Sequence, residues 1–190
     1  MQNLTPNVYC YVNNYNLSDL SKLGRNINII YRNYESIDHL EDLLKLKQFC
    51  KKNGNDLYLT NDLKLSIKLR LTGVYIPSFN KKLNISGSFS LPKNFKIIGS
   101  AHNIKEIKIK INQGCELIFL SPIFKTNKNN SYLGVVKFNL VKLNQKSSFV
   151  ALGGINDFNY KKIYLTKPIG IAGIKWVKKN GPRNILRPFL

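Results

Sequence analysis

A chain of 190 residues, 43% hydrophobic, can bury one core and is not a disordered chain. Its 30 Lys and Arg residues against 10 Asp and Glu give a net charge of +20, which points to anionic partners. Lysine dominates and is spread rather than blocked, so the charge fits phosphorylated metabolites or compositional drift, and nucleic acid is an unlikely partner.

Eight short apolar runs follow one another along the chain: Val8–Val12, Ile27–Tyr31, Leu57–Thr60, Gly73–Ile76, Phe95–Gly99, Leu117–Leu120, Phe149–Leu152 and Ile169–Ile174. Continuous apolar runs are what parallel strands covered on both faces look like. Met1–Asn7, before the first run, has neither a basic stretch nor a long apolar one, so no signal peptide is expected. After the second run, residues 36–50 carry apolar side chains at 37, 40, 43, 44, 46 and 49, mainly one helical stripe. Ser36 is the expected N-cap, acidic residues come early, Lys51 and Lys52 come late, and Asn53-Gly54 is the stop. Asp62–Leu71, Asn103–Asn112, Tyr132–Asn144 and Asp157–Leu165 read as further helices. Residues 79–93 are rich in Ser, Asn and Lys and are expected to be irregular. Gly181-Pro182 and Arg187-Pro188 argue against a full last helix. Strand and helix alternating about eight times predict an α/β fold, a short (β/α)8 TIM barrel in one domain over residues 1–190, with an open doubly wound sheet as the alternative.

Chemistry in such folds gathers where the strands end. Arg32 follows the second run and can meet a phosphate bidentately. Asn61-Asp62 ends the third run, where a carboxylate beside an amide suits a metal or a helix cap equally. Ser100 and His102 end the fifth, His102 being either a proton shuttle or a helix-start histidine. Thr126 and Lys128 lie beyond the sixth and suit a pyrophosphate. Gly153-Gly154 and Gly170-x-x-Gly173 end the last two, and glycines there let amide groups approach a phosphate. Cys10, Cys50 and Cys115 have no CxxC spacing, so buried, inert thiols are expected and neither a disulfide framework nor a zinc site. His39 falls inside the amphipathic segment and reads as a surface or half-buried side chain. No apolar run approaches the roughly 18 residues of a membrane span, so a cytoplasmic protein without membrane contact is expected.

From about Ile27 to Ile174 the order of these motifs resembles the thiamine phosphate synthase/TenI family. Ile30-Tyr-Arg-Asn33, Thr60-Asn-Asp62 and Gly73-Val-Tyr-Ile76 are similar to its second, third and fourth strand ends. Gly99-Ser-Ala-His102 resembles its Ser-Ala-His, and Ser121-Pro-Ile-Phe-Lys-Thr126 its Gly-Pro-Ile-Phe-Pro-Thr. Ala151-Leu-Gly-Gly-Ile155 and Gly170-Ile-Ala172 resemble its last two strands. The resemblance implies a transferase of thiamine biosynthesis. It would join a pyrimidine methyl diphosphate to a thiazole phosphate through a pyrimidine carbocation, releasing pyrophosphate. By the same resemblance Arg32, Asn61, Ser100, Thr126 and Lys128 would hold the diphosphate. Asp62 would bind Mg²⁺, and Gly153, Gly154, Ala172 and Gly173 would hold the thiazole phosphate.

The chain departs from the family pattern at Tyr34, where the synthase has a lysine, and in Pro77-Ser-Phe-Asn80, where an acidic metal ligand is usual. Lys125 stands in place of a proline. The TenI branch implies a second chemistry, a metal-free thiazole tautomerase using His102. A non-catalytic binder of anionic ligands or nucleic acid is the reading from a third class.

Overall fold

The computed structural model describes residues 6–33, 39–85, 87, 90–127, 130–143, 145 and 147–186. Eight parallel strands close into a barrel in sequence order: β1 (Asn7–Val12), β2 (Asn28–Tyr31), β3 (Asp56–Thr60), β4 (Gly73–Ile76), β5 (Lys96–Ala101), β6 (Leu117–Leu120), β7 (Ser148–Leu152) and β8 (Gly170–Gly173). Closure is made by β1 on β8, with Tyr9 opposite Ala172. The alternative of an open doubly wound sheet is thereby excluded.

The strands read as unbroken apolar runs because each buries both faces. Val8, Cys10, Ile29, Leu57, Val74 and Ile171 point outward to the helices. Tyr9, Tyr11, Ile30, Tyr58, Tyr75, Ile98, Phe119, Val150 and Ala172 fill the axis. Phe119 is the hub of this inner cluster. It meets Tyr9 edge-on at 4.9 Å, Tyr75 at 5.6 Å and Tyr11 at 6.3 Å between ring centroids. The rings come from β1, β3, β4 and β6, while β7 and β8 contribute the small Val150 and Ala172. Large side chains thus face small ones, and the tube is filled without a pore. The Tyr11 hydroxyl donates to that of Tyr75 at 3.0 Å. Burial pushes the phenols of Tyr9 and Tyr58 well above their ordinary range.

Around the barrel lie α1 (Leu17–Ser21), α2 (His39–Asn53), α3 (Leu63–Lys68), α4 (Ile104–Asn112), α5 (Gly134–Leu143) and α6 (Lys175–Leu186). α2 buries Leu43 and Leu46 of the stripe its sequence shows, together with Cys50, and its expected N-cap Ser36 lies outside the described residues. α1, which the apolar pattern does not announce, is capped by Asn16, whose Oδ1 accepts from the Asp19 amide at 3.1 Å. Asp62 and Asn103 cap α3 and α4 in the same way.

Two expectations are corrected. The stretch Asp157–Leu165 is not an α-helix but a 3-10 helix, Tyr160–Thr166. Lys167 is left-handed and Pro168, which has no amide proton to donate, follows, so the segment cannot run on as a helix. The last helix, doubted because of Gly181-Pro182, runs 12 residues. Tertiary contacts override the weak local propensity. Val177 and Ile185 are buried, and Lys178 donates to Asp19 of α1 at 2.9 Å. Asp157 accepts from the Trp176 indole, the Lys179 ammonium and the Asn180 amide. The expectation for the β4–β5 connection holds, since residues 77–95 contain no helix among those described.

All three cysteines are buried and free, and burial pushes each thiol up to about 12, which makes them inert. His39 is half-buried and stacks on Tyr31 at 5.2 Å. Among the described residues no helix is long and apolar enough to cross a membrane.

Phe119→Ala removes the side chain that Tyr9, Tyr11 and Tyr75 share. It is expected to lower unfolding free energy by about 3–5 kcal/mol, read from urea midpoints.

Candidate active site

The carboxyl ends of the strands form one mouth. Arg32 follows β2, its backbone tied to β1 by a bond from its amide to the Val12 carbonyl at 2.8 Å. Its guanidinium lies over the Tyr11 ring, 5.5 Å from the centroid. A ring face holds the cation at the top of the axis without neutralising it, so it stays available to an anion. Ser100 is buried in β5, in register with inward-facing Ile98. Thr60 likewise follows Tyr58 on the inner face of β3. It is 8% exposed and its hydroxyl has no hydrogen-bond partner among the described residues. An orphaned buried hydroxyl at the end of a barrel strand marks a place where a ligand completes the bonding. Sequence reasoning passed over Thr60, although its in-register position at the end of the third run was legible.

The β3–β4 corner is the most polar part of the mouth. Asn61 adopts a left-handed backbone, φ 64, which asparagine tolerates better than most residues. Its side-chain oxygen accepts from the Asn80 amide. The Asn80 oxygen in turn accepts from the Lys82 amide at 3.0 Å. Asp62 spends Oδ1 on the Leu65 amide at 2.9 Å, the α3 cap, and Oδ2 takes no part in that cap. The helix-cap reading of Asp62 is therefore correct, and it leaves one carboxylate oxygen for another use. These side chains line an open cleft of about 810 Å³ together with Lys64, Lys81 and Lys82. Those three lysines were not singled out from the sequence, because lysine occurs throughout it.

His102 stands apart from that corner. Its Nδ1 lies 2.8 Å from the Ser121 carbonyl, which can only accept, so Nδ1 is the donor in this bond. Its amide donates to Glu106 Oε2 at 2.7 Å, within the Asn103–Glu106 capping pair of α4. The exposed ring lines a groove of about 530 Å³ between α4 and α5, with Leu120, Leu133, Leu140 and Val141. This groove shares no lining residue with the Asn61–Asp62 cleft.

The β6, β7 and β8 ends are built from main chain. Gly153 and Gly154 have φ of 92 and 73, and a Cβ on Gly154 would lie 2.3 Å from the Phe124 carbonyl oxygen. The Ile123 and Phe124 amides donate to the carbonyls of Leu152 and Gly153 at 2.9 and 3.1 Å. These glycines are thus required first by the close approach of the β6–α5 loop. Thr126 sits half-buried farther along that loop, and Lys128 lies outside the described residues. Ala172 is buried at the axis, and Gly173 leads directly into α6, whose first-turn amides have no partner within the helix.

Among the described residues no three His, Cys, Asp or Glu side chains cluster as a metal site. Mg²⁺ shared with a substrate diphosphate needs only one or two carboxylates, the rest of its shell being phosphate and water. Asp62 Oδ2 meets that lower requirement, so the residues present fit the ion only in company with a diphosphate.

A family model described as thiamine monophosphate synthase matches residues 22–177. A thiamine-phosphate synthase of Prochlorococcus marinus is 34% identical over 152 residues, covering 77% of this chain and 42% of its own. One of Pelagibacter ubique is 28% identical over 187 residues, covering 93% and 88%. The chain thus spans about two fifths of the Prochlorococcus relative's length and most of the other's. The solved thiamine phosphate pyrophosphorylase of Pyrococcus furiosus superposes with a TM-score of 0.76 at 17% identity, covering 100% of this chain and 97% of that one, which establishes the shared fold.

Gly154→Ala is expected to displace Phe124 and Lys125 and to lower the melting temperature by several degrees, as a strained φ and a backbone clash coincide.

Proposed function

Because the chain belongs to the thiamine monophosphate synthase family, we propose that it transfers an aminopyrimidine methyl group from its diphosphate to a thiazole phosphate, giving thiamine phosphate and pyrophosphate. The observation that carries this reading is the β3–β4 corner, where Asn61, Asp62 and Asn80 meet three lysines in one open cleft beside the mouth. Such a corner suits a leaving group that develops negative charge on several oxygens.

In this reading Arg32, Asn61, Ser100 and Thr126 bind the diphosphate, with Lys128 as a further cation. Arg32 supplies a fixed charge pre-oriented by Tyr11. Asp62 would hold Mg²⁺ through Oδ2, and the ion, when bound, supplies positive charge to the departing oxygens. The Gly154 and Gly173 main chain and the start of α6 bind the thiazole phosphate, with Gly153 and Ala172 keeping side-chain bulk out of its way. The C–O bond to the diphosphate breaks, the pyrimidine methyl carbon becomes a cation, and the thiazole nitrogen gives its electron pair to that carbon. The enzyme's part is to hold both phosphates so that nitrogen and carbon face each other, and to neutralise the diphosphate as it leaves. The Thr60 hydroxyl is free to bond to substrate in the same mouth.

In this reading His102 takes no part in holding the diphosphate. Its ring lines the groove between α4 and α5, apart from the corner that holds Asn61 and Asp62.

The test is formation of thiamine phosphate from the two substrates with Mg²⁺, detected after oxidation to its fluorescent form. Asp62→Asn keeps a good helix cap and removes only the charge. It is expected to lower turnover by about 100-fold or more, the scale of losing one charge-stabilising group. His102→Ala is expected to stay within a few fold of the parent. No product from protein that still binds thiazole phosphate would overturn the synthase reading in favour of the tautomerase.

A further inference from the structure

Lys110, on α4, is 0% exposed and has no carboxylate among its hydrogen-bond partners in the described residues. Its ammonium donates to the carbonyls of Pro77 at 2.7 Å and Asn80 at 2.8 Å, and to the Gln113 side-chain oxygen at 2.8 Å. Gln113 then donates from Nε2 to the carbonyls of Asn80 at 3.0 Å and Lys82 at 2.7 Å. Two side chains thus take up three carbonyls of one segment, two of them on the ammonium itself. That segment opens the β4–β5 connection, where no helix is described, so its carbonyls lack a helical ladder. The stem of Lys110 passes Gly99 of β5. A Cβ there would lie 2.9 Å from Lys110 Cδ, 2.8 Å from Cys115 Sγ and 3.0 Å from the Ile76 oxygen. The missing side chain at 99 is what admits the lysine.

A buried cation bound only to neutral oxygens costs desolvation that no ion pair returns. The segment it grips carries Asn80, Lys81 and Lys82 into the cleft with Asn61 and Asp62. We infer that Lys110 and Gln113 are positioning residues that hold residues 77–82 as the anion-binding wall of the mouth. This inference rests on the diphosphate reading of that corner. The three acceptors around the ammonium match its three donors, whereas a neutral amine has two. Burial pushes Lys110 down to about 8; the titratable groups facing it are Cys115 and Glu106, with Lys81 and Lys82 on the gripped segment. The lysine is therefore charged at neutral pH, and the grip weakens as pH rises through about 8. Global stability moves the other way. The unfolded lysine keeps its proton up to its ordinary value near 10.5 while the folded one has lost it, so between about 8 and 10.5 stability rises with pH from this group.

Binding of inorganic pyrophosphate and of inorganic phosphate, followed by calorimetry with Mg²⁺ present, tests the wall directly, and the coupling assay runs beside it. Lys110→Met is expected to weaken pyrophosphate about tenfold and raise KM for the pyrimidine diphosphate similarly. Phosphate binding and KM for the thiazole phosphate are expected to stay unchanged. Wild-type pyrophosphate affinity is expected to fall above about pH 8, and the Lys110→Met profile to be flat there. If Lys110→Met proves unstable, Gln113→Leu and the wild-type pH profile decide. A wild type that makes thiamine phosphate with no inflection near pH 8, or a variant that loses both ligands equally, overturns the inference. A wild type that makes no product yet binds pyrophosphate in a Lys110-dependent way sinks the synthase reading and leaves the clamp standing.

Discussion

A closed ring of eight short strands exists only if its axis is filled, and here the filling is lopsided. Aromatic rings from β1 and β4 converge on Phe119 of β6, Tyr58 of β3 packs on Tyr9, and the β7–β8 side makes room with Val150 and Ala172. The upper edge of this packing is also the floor of the mouth. Tyr11 is at once an axis residue, a partner of Tyr75 and the platform under Arg32. The orientation of the first candidate anion-binding group is therefore a by-product of how the barrel is plugged. Because the interior is close-packed, small losses there are transmitted upward rather than absorbed.

Much of this was legible in the chain, for definable reasons. Parallel strands buried on both faces announce themselves as runs such as Leu117–Leu120, and their number and order led to the barrel. Boundaries were less clear, since Asn7 and Asp56 extend strands only through pairing with neighbours. α6 was hidden because what holds it, the burial of Val177 and Ile185 and the bonds to Asp157 and Asp19, comes from contacts outside the helix. The helix expected over Asp157–Leu165 was overread because its sequence does not distinguish a 3-10 helix from an α-helix, and Pro168 ends the segment.

The candidate site divides along the same line. Asn61 and Asp62 stood out because a polar pair ending an apolar run is a local signal. Thr60 and Lys110 did not, since one is an ordinary strand residue and the other one lysine among many. Their significance lies in burial without the usual partners, which only three-dimensional packing creates. Asn80 changes meaning too. From the sequence it is a missing carboxylate; in the fold its carbonyl and amide are the knot between Lys110, Gln113 and Asn61.

The two sides of the mouth are made of different material. At β7 and β8 the lining is main chain, with Gly154 and Gly173 leaving no side chain to alter. At β3 and β4 it is side chains on an irregular segment gripped from below. A surface of amides can be remodelled only by moving backbone, which the barrel resists. A surface of side chains can be rewritten one residue at a time. For anyone redesigning this scaffold, the evolvable half is the β3–β4 corner, and the half at β7–β8 is the fixed reference against which new specificities would be built.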